Sequence, residues 1–195
     1  MATTTFNGLK RKVFLVLACG SLGAVSLSAQ EKPDSPPSPE TAKAACLVSF
    51  AKYIEWPGNG VLEATNPIII GVLGRSSVAD VLEKAVADQL VGRHKVMVRR
   101  ATRVRELRDC QIIYISGVER GRLPGVLSEL KDCPALTVGE LPQFLDKGMI
   151  IFVSENGTVR FDVNLANVDP VGLKISARML AAARKVYPAA GTPKH

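Results

Sequence analysis

Short apolar runs rich in β-branched residues alternate along this chain with stretches of helical periodicity, and that alternation restricts it to an α/β architecture. "PIIIGVLG" (67–74) and "QIIYIS" (111–116) are almost wholly apolar, as strands buried on both faces of a parallel sheet must be. "HKVMVRRA" (94–101) and "ALTVGE" (135–140) read as two more strands. After the first strand, "SVADVLEKAVADQL" places Val78, Leu82, Ala85 and Val86 at helical spacing behind Ser76 or Ser77 as N-cap. "GRLPGVLSELK" is a helix entered through Pro124, and "VRELRD" and "LPQFLDKG" are single helical turns.

"MIIFVSENGTVRFDVNL" (149–165) is a pair of strands joined by Asn156-Gly157. Asn-Gly is the strongest short hairpin signal, because a type I′ turn needs positive φ at both central residues. In its second strand Val159, Phe161, Val163 and Leu165 share one face, and Arg160, Asp162 and Asn164 share the other, which is expected to be wet or partner-facing. "PVGLKISARMLAAARKV" (170–186) reads as a closing helix. The expected fold is a mostly parallel sheet covered by helices on both faces, with a C-terminal β-hairpin and a final helix.

Ahead of this domain, Lys10, Arg11 and Lys12 precede an apolar run from Val13 to Val25 and the small residues Ser26, Ser28 and Ala29. That is the layout of a secretory signal. The run is too short and too interrupted by Gly20, Ser21 and Gly23 for a spanning helix, which needs about 20 apolar residues. The expected organisation is a signal peptide at 1–29, cleaved near Ser28 or Ala29, a proline-rich spacer at 30–40, an α/β domain at 41–187 and a flexible tail at 188–195. The expected destination lies outside the cytoplasm. Losing the three cations of the signal lowers the formal net charge from +7 to +4, too mild a balance to argue for nucleic acid.

Catalytic chemistry finds little to work with. The chain has two histidines, His94 in a basic strand and His195 at the terminus, and no HExxH, GxSxG, paired CxxC or Walker-type loop. No enzyme, cofactor or metal site is expected. "GVLGRSSVAD", with Gly71, Gly74, Ser76 and Ser77 between a strand and a helix start, resembles a phosphate loop but lacks the third glycine. It supports the alternative function, a periplasmic small-molecule or anion-binding protein. The segment Arg93–Arg108 holds seven Arg or Lys; a solvated strand edge explains it better than a polyanion site.

Three cysteines remain after the signal: Cys46, Cys110 and Cys133. Export permits disulfides. "DCQIIYI" and "DCPALTV" place Asp-Cys ahead of two strands, so parallel neighbours would start Cys110 and Cys133 at the same sheet edge, about 4.8 Å apart. A Cys110–Cys133 bridge, contributing roughly 3 kcal/mol, is the expectation, and two buried thiols the alternative.

The first helix is expected over 41–56. On a helical wheel Cys46, Leu47, Phe50, Ala51 and Ile54 form the apolar arc, with Tyr53 on its margin and Trp56 outside it. Pro57 ends the helix at Trp56. Tyr53 and Trp56 are then either covered by the incoming chain or exposed as anchors.

"KAACLVSFAKYIEWP", "IIIGVLG", "DCQIIYIS", "MIIFVSENGTVRFDVNL" and "GLKISARMLAAAR" occur in an order and spacing that resembles the YfiR family of periplasmic proteins. The resemblance implies a regulator that binds the periplasmic sensor domain of an inner-membrane diguanylate cyclase and lowers cyclic-di-GMP output. It also implies titration by an outer-membrane lipoprotein, homodimers and redox control through two cysteine pairs, of which this chain can form at most one. The candidate partner surface is Arg160, Asp162, Asn164, Leu173, Lys174 and Ile175, with Tyr53 and Trp56 as a second patch. Leu173 and Ile175 packing under the sheet is an equal alternative.

Overall fold

A computed structural model describes residues 36–57 and 66–189. The expected signal peptide, most of the spacer, residues 58–65 and the end of the tail lie outside them. Helix α1 (Pro39–Phe50) starts where Ser38 accepts the backbone N–H of Thr41, with Pro39 in the first turn. It ends six residues before the expected stop, and Ile54–Glu55 form a strand, β1. Pairing with a distant segment overrides the helical pattern there.

Strand β2 (Ile68–Leu73) leads into α2 (Ser77–Val86), whose N-cap Ser76 accepts from Val78 N–H at 3.2 Å. A two-residue strand, β3 (Leu90–Val91), turns back into β4 (His94–Ala101). Residues 104–107 form one 3₁₀ turn before β5 (Ile112–Ile115). Helix α3 (Leu123–Glu129) connects β5 to β6 (Leu136–Gly139), and a 3₁₀ turn at 144–146 connects β6 to β7 (Ile150–Glu155). Strand β8 (Thr158–Asn164) follows the hairpin, where Asn156 and Gly157 have φ of 50° and 76° as a type I′ turn requires.

The expected closing helix is broken into four pieces after the short helix α4 (Leu165–Val168). A 3₁₀ turn at 169–171 stops at Gly172, whose φ of 74° lies outside the helical region. Strand β9 (Lys174–Ile175), helix α5 (Ala177–Ala182, N-capped by Ser176) and strand β10 (Lys185–Tyr187) complete the domain.

The main sheet runs β10-β8-β7-β6-β5-β2-β4-β3, with parallel pairing except at β7–β8 and β3–β4. The expected mostly parallel α/β sheet with its hairpin is the observed one. One face packs under α1, α2 and α5, with Leu47, Phe50, Ile70, Val72, Tyr114, Phe152 and Phe161 in its core. The other face lies under α3 and the two 3₁₀ turns, around Leu107, Ile113, Ile115, Leu127 and Phe144.

Candidate functional site

Strands β1 and β9 pair antiparallel as a separate ribbon, Ile54 opposite Ile175 and Glu55 opposite Lys174. Ser176 N–H donates to the Tyr53 carbonyl at 2.9 Å and extends the ribbon by one bond. Its apolar side, Ile54 with Ile175, packs on the α1 face of the core. Lys52, Tyr53, Glu55 and Lys174 remain exposed, Tyr53 at 37 %. Two stretches more than a hundred residues apart, read separately as candidate patches, thus become one surface. Ile175 is half-buried in it.

Other expected surface residues are placed differently. Trp56 is buried, and its indole N–H donates to the Gln111 carbonyl at 3.1 Å, so the ring is a core element rather than an anchor. Leu173 is also buried, by the packing alternative. Asp162 is 2 % exposed, because β10 flanks β8 on its other edge and Arg184 closes over the carboxylate. Arg184 Nε and Nη2 donate to the two carboxylate oxygens at 2.8 and 2.5 Å. Asn164 is occupied locally: its Oδ1 accepts from Ala166 N–H and its Nδ2 donates to the Leu145 carbonyl. Arg160 is exposed, but on the sheet face opposite that of Phe161 and Val163, away from the ribbon.

The Cys110–Cys133 bridge is not formed, and all three cysteines are free thiols. β5 and β6 are parallel neighbours, yet Ile112 pairs with Leu136, an offset of 24, while the cysteines are 23 apart. One residue of slip puts them out of phase. Cys133 Sγ instead donates to the Arg108 carbonyl. Burial pushes the Cys110 thiol up to about 12 and raises Cys46 and Cys133 as well.

A polar cluster that sequence reasoning missed sits at the C-terminal ends of β2, β5 and β6. Lys43 pairs with Glu140 there, and the buried Tyr114 hydroxyl faces Glu140 and Ser76 without a hydrogen-bond partner. Burial first, then the Glu140 charge, hold the phenol well above its ordinary range. Chain order reverses at β2, which has β4 on one side and β5 on the other, the position where open α/β sheets take ligands. A groove of about 530 Å³ opens nearby over Gly74, Ser76, Ser77 and Arg100. Arg100 is held by Asp80 and Glu83 and Ser76 is spent on capping, while Arg75, exposed in the same loop, lines the groove without a carboxylate partner among the described residues. Among the described residues no three His, Cys, Asp or Glu side chains gather as a metal site, and no helix is long and apolar enough to cross a membrane.

The profile of the YfiR/HmsC-like family matches residues 40–184, from α1 to the residue before β10. The chain belongs to that family. Its fold also resembles the crystal structure of a conserved domain protein from Vibrio cholerae O1 biovar El Tor, with a TM-score of 0.53 at 11 % identity. That match covers 78 % of this chain and 61 % of the other, so the chain spans about three fifths of that relative's length. An ABC domain in complex with L-Trp from Streptococcus pneumoniae matches at a TM-score of 0.43 and 14 % identity, over 60 % of this chain and 54 % of the other. The β1–β9 ribbon falls inside the family match.

Proposed function

We propose that the chain is an exported, periplasmic regulator that binds the sensor domain of an inner-membrane diguanylate cyclase and lowers cyclic-di-GMP production. The observation that carries this reading is the YfiR/HmsC-like match over essentially the whole described domain. Repression of this kind needs a surface rather than a reaction: a binder that prefers the inactive cyclase shifts its equilibrium by that preference alone. The β1–β9 ribbon supplies such a surface, with a partly exposed tyrosine flanked by Lys52, Glu55 and Lys174 on a backbone fixed by pairing. Tyrosine is a frequent interface anchor because it brings large area at small entropic cost.

Capture from solubilised membranes tests the reading. The wild-type protein is expected to retain a membrane cyclase, and Tyr53→Ala with Lys174→Glu to weaken retention at least about tenfold, equivalent to roughly 1.4 kcal/mol. Deletion of the gene is expected to raise cyclic-di-GMP. Unchanged cyclic-di-GMP together with capture of no cyclase overturns it.

A further inference from the structure

In a sheet of this type both faces are normally covered by the crossover helices. Here the connection from β4 to β5 is a single 3₁₀ turn at 104–107. It lies over the C-terminal half of β2, where a methyl group on Gly71 would meet Leu107 Cδ2 at 2.8 Å. Towards the N-terminal half the cover thins among the described residues, and Ile69 is half-buried at the edge of the second core. Ile69 pairs in register with Met97, and Leu90 with Lys95, so Ile69, Met97, Lys95 and Leu90 share one face. Met97 is 51 % exposed and Leu90 55 %, two of the four large apolar side chains exposed among the described residues.

Cations surround this strip. Arg93 tips the β3–β4 hairpin, Lys95 stands between Leu90 and Met97, and Arg108 borders a groove of about 450 Å³ that Ile69 also lines. All three are exposed, and none pairs with a carboxylate among the described residues. The rim carboxylate, Asp109, is taken up by Arg99. Edge protection explains Lys95 and Arg93, because charge discourages strand pairing. It does not explain Leu90 and Met97, which invite association on the same edge.

We propose that the bare face of β3 and β4 docks on a bilayer carrying anionic phospholipid headgroups, Leu90 and Met97 entering the interface while Arg93, Lys95 and Arg108 meet the phosphates. Apolar side chains ringed by cations that no described carboxylate neutralises, Arg108 donating only to the Glu129 carbonyl, match that surface, which offers hydrocarbon beneath negative charge. The docking stands independently of which protein the ribbon binds.

Sedimentation of the purified protein with vesicles of phosphatidylcholine, with and without phosphatidylglycerol, tests it. Binding is expected only with phosphatidylglycerol and falls as salt shortens the screening length. A basic residue near such a surface is worth about 1 kcal/mol, about fivefold, so Lys95→Glu with Arg108→Glu should weaken partitioning at least about thirtyfold. Leu90→Ser with Met97→Ser should weaken it at least about tenfold, each side chain losing more than 1 kcal/mol of burial. Arg178→Glu, an exposed charge reversal on α5, should change it little. The replaced side chains are exposed, and the one hydrogen bond lost, from Arg108 Nη2 to the Glu129 carbonyl, lies at the surface, so the urea midpoints of all variants should stay close to wild type. Three outcomes overturn the proposal: no binding to phosphatidylglycerol vesicles, equal loss with Arg178→Glu, or capture by immobilised poly-glutamate in place of vesicles. So does a dimer that Leu90→Ser with Met97→Ser dissociates while vesicle binding is absent.

Discussion

Arg184 grips Asp162 through two parallel hydrogen bonds, the arrangement in which guanidinium and carboxylate bind most strongly. Removing the carboxylate leaves the arginine against a buried strand. Asp162→Ala is expected to cost about 1–3 kcal/mol, less than a fully buried pair because Arg184 is partly solvated, read as a lowered urea midpoint. The thiols make a second prediction at this scale. Folding holds the Cys110 proton until about pH 12, whereas the unfolded thiol releases it near its ordinary 9.0. Between those values the unfolded state binds fewer protons, so stability is full below 9 and falls as pH rises towards 12. The slope reaches about 1.4 kcal/mol per pH unit for each such group. Urea midpoints measured upward from neutral pH should show the fall, and Cys110→Ala should flatten it. Thiol titration in denaturant should find Cys46, Cys110 and Cys133 all reactive; loss of the Cys110 and Cys133 thiols would contradict the free-thiol state.

At the scale of elements, Phe144 shows how little room the second core leaves. Its ring lies between Gly139, the last residue of β6, and Gly148, and a methyl group on either would run into it. Gly139→Ala and Gly148→Ala are each expected to cost roughly 1–3 kcal/mol by overpacking, whereas Gly125→Ala, which meets nothing, should not. An unchanged midpoint in the first two would contradict the packing. Strands β2, β5, β7 and β8 were legible in the sequence because β-branched runs and one Asn-Gly dipeptide speak for themselves. The ends of α1 and the break-up of 170–186 were not. Ile54 and Ile175 keep a helical spacing in sequence, and only their mutual pairing turns both into strand. The Cys110–Cys133 bridge failed for a related reason: neighbouring strands were inferred correctly, but register was not, and one residue decides it.

At the scale of the whole molecule, the two sheet faces are covered to different extents. The face under α1, α2 and α5 is closed, and the β1–β9 ribbon laid over it presents Tyr53 and Lys174. Among the described residues the other is covered by α3 and the 3₁₀ turns, and Leu90 and Met97 at its β3–β4 end are exposed. Sequence patterning picked out the two segments that pair as the ribbon but misjudged which residues near them are exposed. Strand alternation assigned Asp162 to solvent, while the final strand and Arg184 cover it. Family membership supports a regulator, and the surface that would do the regulating is the narrower claim. The most direct measurement is quantitative capture of a membrane diguanylate cyclase by the wild-type protein against the Tyr53→Ala, Lys174→Glu variant. The expected result is recovery with the wild type and a loss of at least about tenfold with the variant. Equal recovery by both would contradict the ribbon, and recovery by neither would contradict the regulator.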